Sequence, residues 1–252
     1  MRNRSRGCES RILILGGTGE ARALATALVE SGIDVVTSFA GVTAEPALPP
    51  GKIRRGGFGG VEGLSGYLAE ADIGLIADAT HPFAAVISRH AGEAAAARNI
   101  PYLRLERPQW RAGPGDRWQI VADIAAAVAA VPAGASVFVT IGRKELAAFA
   151  AREDLRVVAR AIEPPDFVLP PGWKLILARP PFTVEAEMAL MRGEGVSILV
   201  TKNSGGEAGQ AKLAAARALA LPAIMVARPA KPAAETVGTV EEMVEKIAAR
   251  IG

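Results

Sequence analysis

The chain of 252 residues has a single cysteine, Cys8, which excludes a disulfide within the chain and a metal cluster held by cysteines. Its two histidines, His81 and His90, lie nine residues apart, a spacing that does not place both on one metal ion. Aromatic residues make up 5% of the chain, which is too few for a surface that stacks nucleic-acid bases. We therefore predict neither a protein-held metal nor a nucleic-acid partner.

Long hydrophobic runs are also missing, since no apolar stretch approaches the ~20 residues that a helix needs to cross a bilayer. Residues 1–10 are basic and lack the apolar core of a signal peptide, so we expect a disordered tail on a cytoplasmic protein without a membrane partner. The remaining composition, with 50% hydrophobic and 22% charged residues, is ordinary for a globular protein. The net charge of +3 is compatible with an anionic small molecule as ligand.

The stretch from Ile12 to Arg22 predicts a buried strand that breaks into a glycine turn and opens a helix. We expect this helix to run to Ser31 and to stop at Gly32. Its unpaired N–H groups and the positive end of its dipole favour an anion at the turn. The turn matches a shortened form of the dinucleotide fingerprint, and an ordinary strand-to-helix turn without a ligand is the alternative. The predicted cofactor-binding residues here are Gly16, Gly17, Thr18, Gly19 and Glu20.

The end of the second predicted strand, residues 34–41, distinguishes between NAD and NADP. NAD enzymes carry an acid about twenty residues beyond the glycine turn, whereas the uncharged Ser38 stands there in this chain. NADPH is therefore the predicted cofactor, with Arg54 or Arg55 on the next short strand as partner of the 2′-phosphate. We include Ser38 and Arg55 in the predicted site, and a solvated sheet edge is the alternative for both arginines.

Another apolar strand, residues 73–77, leads to the predicted catalytic residue. His81 precedes a proline and is excluded from helical geometry, while Pro82 suits the first position of a helix. Carboxyl ends of parallel strands face the ligand crevice, so Ala79, Thr80 and His81 should meet the same crevice as the glycine turn. Ala79 and Thr80 are predicted cofactor contacts. For His81, a role in catalysis and a role as a packed or capping residue both stay open.

Alternation of strands and helices continues after a linker near residue 112 and predicts a second parallel sheet. We expect an α/β protein of two Rossmann-like domains, each a parallel sheet flanked by helices, with a ligand cleft between them. The NADP-binding domain would cover residues 11–112, and residues 113–252 would form a second domain that contributes to substrate binding. Two turns at strand ends of the second domain suit an anionic substrate, although solvated or capping side chains are the alternative. Their residues are Arg143 and Lys144, at a predicted helix start, and Lys202, Asn203, Ser204, Gly205 and Gly206.

Four segments together resemble the precorrin-6A reductase family, also described as precorrin-6x or cobalt-precorrin-6A reductases. They are Leu15–Ala21 (LGGTGEA), Asp78–Ala84 (DATHPFA), Pro101–Pro108 (PYLRLERP) and Val200–Gly206 (VTKNSGG). The resemblance implies NADPH-dependent reduction of one carbon–carbon double bond of precorrin-6A to give precorrin-6B, a step of cobalamin biosynthesis. Its substrate is a polycarboxylate corrinoid, which suits the cationic turns of the second domain. Transient contact with neighbouring enzymes of that pathway is left open.

Two other functions are compatible with the predicted nucleotide fold. One is an NADP-dependent reductase of a small carbonyl compound, which normally displays a Tyr-x-x-x-Lys acid. Neither Tyr67 nor Tyr102 is followed by a lysine four residues later, which disfavours this function. The other is a non-catalytic NADP sensor, which would have no need for the cationic turns at Arg143 and Lys202. The sequence leaves open the proton donor, the oligomeric state and whether the substrate contains cobalt.

Overall fold

The computed structural model describes residues 11–39 and 48–251. The predicted disordered tail, residues 1–10, and the last residues of the predicted second strand lie outside these ranges. The chain divides into two compact units, of which the first runs to Arg107 and resumes at Ala230. The second unit comprises residues 108–229.

Parallel strands and helices alternate along both units. The strands β1 to β12 are, in chain order, Arg11–Leu15, Val35–Phe39, Lys52–Arg55, Ile73–Asp78, Tyr102–Leu105, Trp118–Val121, Ser136–Thr140, Arg156–Ala161, Lys174–Leu177, Ile198–Lys202, Ala223–Val226 and Glu235–Val237. The helices α1 to α7 are Gly19–Glu30, Gly60–Glu70, Ala85–Arg98, Ile124–Ala130, Val184–Gly193, Gln210–Ala218 and Val240–Ile251. None of the helices in the described ranges is both long and apolar enough to cross a membrane.

The first unit is a six-stranded parallel sheet in the order β3-β2-β1-β4-β5-β12. Side chains of β1 alternate between its two faces, where Ile12 and Ile14 pack with α1 and α7, and Leu13 and Leu15 pack with α2 and α3. This arrangement confirms the predicted strand that is covered on both faces. The strand order reverses between β1 and β4, which is where ligands bind in open α/β sheets.

The second unit repeats this architecture with the order β9-β8-β7-β10-β11-β6, again parallel. Helices α5 and α6 cover one face through Met191 and Leu213, which pack with Phe138 of β7 and Leu199 of β10. The strand order reverses between β7 and β10. The predicted fold class, two parallel sheets flanked by helices, is therefore confirmed.

The division of the chain differs from the predicted domains 11–112 and 113–252. The last strand and helix return to the first unit, because Val237 of β12 pairs with Leu105 of β5. Met243 and Ile247 of α7 are fully buried in the core that also contains the inner face of α1. A helix with two such side chains gains about 1.5–3 kcal/mol for each of them by burial, which explains its return.

Two predicted helix starts also differ from the structure. Helix α3 begins at Ala85 rather than at Pro82, because Ala84 N donates a hydrogen bond to His81 O and closes a turn first. Residues Arg143 and Lys144 do not begin an α-helix; they lie in a turn before a short 3₁₀ helix, 146–149.

Candidate functional site

The glycine turn after β1 lies at the carboxyl end of the sheet, at the reversal of strand order in the first unit. Gly16 N donates a hydrogen bond to Ser38 O of β2 (2.9 Å), and Thr18 Oγ1 donates to Ala79 O beyond β4 (2.7 Å). Thr18 also caps α1, because its hydroxyl accepts a hydrogen bond from Ala21 N (3.0 Å). The structure thus brings together the predicted cofactor residues of three strand ends.

The glycines of this turn have separate physical roles. A Cβ on Gly16 would lie 3.0 Å from Cγ2 of Thr37, so the turn passes close to β2. Gly17 has a φ of +112°, a backbone conformation that residues other than glycine rarely adopt. A Cβ on Gly17 or on Gly19 would meet no atom of residues 11–39 and 48–251 within 4 Å. Backbone N–H groups at the N-terminus of a helix favour a bound anion such as a phosphate group.

Beside the turn lies a narrow crevice of ≈ 10 Å³, which is room for about one water molecule. Its lining residues are Thr18, Glu20, Ala79, Thr80, Pro82, Leu105, Glu106 and Arg107. Across it, Arg107 Nη1 donates to Oε1 of Glu20 at 2.6 Å. Burial acts to raise the pKa of Glu20, but the hydrogen bond and charge of Arg107 outweigh it and hold the pKa below its usual value. Glu20 is therefore ionised at neutral pH.

Ser38 and the two arginines of β3 occupy different surroundings. Ser38 is buried, and Arg54 Nη1 lies 3.5 Å from its hydroxyl. Arg54 is held by the carbonyl oxygens of Gly56 (2.6 Å) and Gly57 (2.9 Å) and stacks on the Phe58 ring at 3.8 Å. Arg55, which was included in the predicted site, is exposed. Since successive side chains of a strand point to opposite faces, Arg54 rather than Arg55 shares the face of Ser38.

His81 lies in the loop between β4 and α3 and is half-buried. Its Nδ1 accepts a hydrogen bond from Phe83 N at 3.2 Å, and its ring lies 5.8 Å from the ring of Phe83. An accepting Nδ1 implies that the proton of the neutral ring is on Nε2. The histidine therefore fixes the loop that joins Ala79 and Thr80 to α3.

A buried polar network around Asp78 supports the loop between β4 and α3. Asp78 is fully buried, and its Oδ1 accepts hydrogen bonds from Thr80 N (3.1 Å) and Thr80 Oγ1 (2.6 Å). Its Oδ2 accepts a hydrogen bond from the Tyr102 hydroxyl at 2.6 Å. Arg104 Nε lies 4.0 Å from the same oxygen, and Arg104 Nη2 donates to Pro232 O at 2.7 Å. The Thr80 hydroxyl is thus oriented by Asp78 before any ligand arrives.

In the second unit, Lys202 and Glu145 meet at the reversal between β7 and β10. Lys202 is buried at the end of β10, and its Nζ donates to Glu145 Oε1 at 2.6 Å. Arg143 is paired with Asp166 at 2.8 Å, while the Lys144 side chain is exposed. Of the three predicted substrate cations, Lys202 and Arg143 are thus already neutralised by carboxylates of the same unit.

The turn after β10 is bound to the segment that precedes β6. Asn203 exchanges two hydrogen bonds with the backbone of Trp110 (2.9 and 3.0 Å), and Trp110 Nε1 donates to Gly206 O (2.8 Å). A Cβ on Gly205 would lie 2.2 Å from Pro108 O, so only glycine fits there. Arg228 Nη2 donates to Ser204 O at 3.1 Å. These contacts give the predicted substrate residues 203–206 a structural role.

The chain is similar to proteins of one enzyme family along nearly its whole length. The family model described as Precorrin-6x reductase CbiJ/CobK matches residues 11–248. The chain belongs to this family. The precorrin-6A reductase of Rhodococcus erythropolis is 51% identical over 234 residues, which cover 92% of this chain and 94% of that protein. The precorrin-6A reductase of Rhodobacter capsulatus is 45% identical over 234 residues, covering 92% of this chain and 93% of that protein.

A solved structure of CobK precorrin-6A reductase matches with a TM-score of 0.90 at 44% identity, covering 95% of this chain and 96% of that one. The family resemblance inferred from the four sequence segments is thus confirmed. A reductase of this family uses a reduced nicotinamide cofactor. Within residues 11–39 and 48–251, no three His, Cys, Asp or Glu side chains are grouped to hold a metal ion.

Sequence reasoning missed several residues that shape the site. Arg107, which pairs with Glu20, and Glu145, which pairs with Lys202, come from loops distant in sequence from their partners. Asp78 was part of a family segment without an assigned role. The available signal was position, because Asp78 ends β4 and Arg107 follows β5 at the ligand-facing edge of the sheet.

The hydrogen bond from the Tyr102 hydroxyl to Asp78 can be tested through the free energy of unfolding. Burial and the Asp78 carboxylate both raise the pKa of Tyr102 above its usual value. We expect Tyr102→Phe to lower the free energy of unfolding by about 1–3 kcal/mol at pH 7, because Asp78 loses a buried donor. Above pH ~10 the unfolded tyrosine ionises first, so the wild type loses stability and the difference narrows.

Urea unfolding of wild type and Tyr102→Phe between pH 7 and 11 measures this difference. Tyr67→Phe is the matched control, because the Tyr67 ring packs on Phe58 (5.4 Å) away from Asp78. A difference between wild type and Tyr102→Phe that stays constant up to pH 11 would contradict the raised pKa.

Proposed function

We propose that this chain catalyses the NADPH-dependent reduction of one carbon–carbon double bond of precorrin-6A to give precorrin-6B, in cobalamin biosynthesis. The observation that carries the proposal is the open glycine turn at the β1/β4 reversal, in a chain of the precorrin-6x reductase family. Ligands of open α/β sheets bind at such a reversal, and a diphosphate would suit the backbone N–H groups at the start of α1, beside Gly17 and Gly19.

Turnover is the direct test of this function. We expect purified protein to oxidise NADPH only when precorrin-6A is present, with the loss of absorbance at 340 nm matched by a product two mass units heavier. The cobalt-containing form of the substrate is measured in parallel, because the family includes enzymes named for either form. Tight NADPH binding without turnover on either corrinoid would favour a non-catalytic sensor instead.

The cofactor would be held mainly by the first unit. Backbone N–H groups of residues 16–20 would face the diphosphate, and Thr80 and Ala79 would line the approach to the nicotinamide. Arg54 is the stronger candidate for the 2′-phosphate, because its guanidinium is fixed beside Ser38 whereas Arg55 is exposed. When bound, the nicotinamide supplies the hydride, and the protein supplies orientation and exclusion of water.

His81 and the cations of the second unit would have separate roles. A proton on Nδ1 of His81 would oppose the Phe83 N–H that now donates to this nitrogen, which favours a loop-fixing role over proton delivery. Solvent would then supply the proton to the carbon next to the hydride acceptor. The exposed Lys144 would face substrate carboxylates, whereas Arg143 is paired with Asp166 and Lys202 with Glu145, at the end of the strand that precedes the turn 203–206.

Discrimination between NADPH and NADH tests the 2′-phosphate site. We expect better turnover with NADPH and, for Arg54→Met, a Kd for NADPH raised about 10- to 100-fold with the Kd for NADH unchanged, because one charge-assisted contact is lost. Arg55→Met is the matched control on the same strand, and Ser38→Asp should weaken NADPH binding by charge repulsion. Fluorescence titration measures each Kd. A larger loss in Arg55→Met than in Arg54→Met would reverse the assignment.

Two variants separate the roles of His81, one that keeps a hydrogen-bond acceptor and one that removes it. Asparagine at this position places an oxygen where Nδ1 stood, so His81→Asn should keep the loop and retain kcat within a few-fold of wild type. His81→Ala removes the acceptor and should lower kcat more than His81→Asn does. If His81 delivers the proton, both variants should instead lose about 10²-fold in kcat and share an altered pH–rate profile.

A further inference from the structure

An ion pair crosses the crevice beside the glycine turn, and neither partner belongs to the fingerprint glycines. Glu20 lies in the first turn of α1, and Arg107 follows the end of β5. The Arg107 Nη1 and Glu20 Oε1 atoms are 2.6 Å apart although the two residues are 87 positions apart in sequence. Both side chains are largely covered, with 19% of Arg107 and 33% of Glu20 exposed.

The charges around this pair pose a problem for a phosphate ligand. Glu20 places a carboxylate at the helix N-terminus where the cofactor diphosphate is proposed to bind, and two anions repel each other. Glu106 adds a second carboxylate to the crevice lining. Among the described lining residues Arg107 is the cation, so it decides whether this edge of the turn tolerates a further negative charge.

The guanidinium is suited to serve two anions at once. Its five N–H donors lie in one plane, and the Nη1 edge already contacts Glu20. We propose that Arg107 is a cofactor-binding residue that neutralises Glu20 and binds the dinucleotide diphosphate, and thereby determines whether the glycine turn accepts its ligand. This inference rests on the proposed function, because it assumes a dinucleotide at the turn.

The crevice is narrow at this ion pair. Its volume of ≈ 10 Å³ is room for about one water molecule, and the Glu20–Arg107 pair spans it. Glu20 thus holds the guanidinium beside the glycine turn, at the place where the diphosphate is proposed to bind.

Variants that remove the charge of Arg107, of Glu20 or of both test the proposal through their Kd for NADPH. We expect Arg107→Met to raise the Kd for NADPH at least tenfold, because Glu20 is left uncompensated beside the diphosphate. Glu20→Gln should bind NADPH as tightly as wild type or more tightly. The double variant should bind more tightly than Arg107→Met alone, yet more weakly than wild type, since only the repulsion has been removed.

Matched controls make each outcome decisive. Arg89→Met breaks the exposed Arg89–Glu93 pair (3.1 Å) of α3 with the same charge change and should leave the Kd unchanged. Adenosine 2′-monophosphate lacks the diphosphate, so its Kd should not change in Arg107→Met. Should Arg107→Met fail to fold, as judged by circular dichroism, Arg107→Lys replaces it and should retain part of the affinity because the charge remains.

Failure of this inference is distinguishable from failure of the proposed function. Wild-type affinity for NADPH in Arg107→Met, with tight binding in the wild type, would overturn the role of Arg107 alone. A double variant that binds no better than Arg107→Met would overturn the neutralisation of Glu20. A wild-type protein that binds no dinucleotide would overturn the proposed function together with this inference.

Discussion

One hydroxyl group joins the two halves of the site in the first unit. Thr18 Oγ1 accepts a hydrogen bond from Ala21 N at the start of α1 and donates one to Ala79 O beyond β4. The helix N-terminus and the neighbouring strand end are thereby held at a fixed separation across the reversal of strand order. This bridge therefore links the glycine turn to the backbone just before Thr80.

Local patterns in the sequence were sufficient for β1 and the glycine turn that follows it. Four apolar residues before Gly16 predict a doubly covered strand, and the structure has β1 at the centre of its sheet. The pairing of strands that are distant in sequence leaves no such local pattern. The three residues of β12 are too short a strand to recognise, and the apolar face of α7 does not specify which domain it covers. The domain boundary was therefore the weakest part of the prediction.

Glycines and amides after a strand are ambiguous for a related reason. A glycine that leaves room for a ligand and a glycine that leaves room for another part of the chain look alike in sequence. No atom of the described residues lies within 4 Å of a Cβ built on Gly17, whereas the carbonyl oxygen of Pro108 lies 2.2 Å from a Cβ built on Gly205. A charged residue is equally ambiguous in sequence. Nothing near Lys202 in the sequence indicates that Glu145 is its partner in an ion pair. Only the packed structure separates these cases.

The return of β12 and α7 makes the first unit discontinuous in sequence, with residues 108–229 inserted between its parts. During synthesis from the N-terminus, the sheet of the first unit therefore lacks its edge strand β12 until residues 235–237 have been made. The second unit is continuous in sequence, so all its strands are available once residue 229 has been made. A nascent chain would thus complete the sheet of the second unit before the sheet of the first, and a frameshift after residue 229 would damage the first unit and leave the second unit intact.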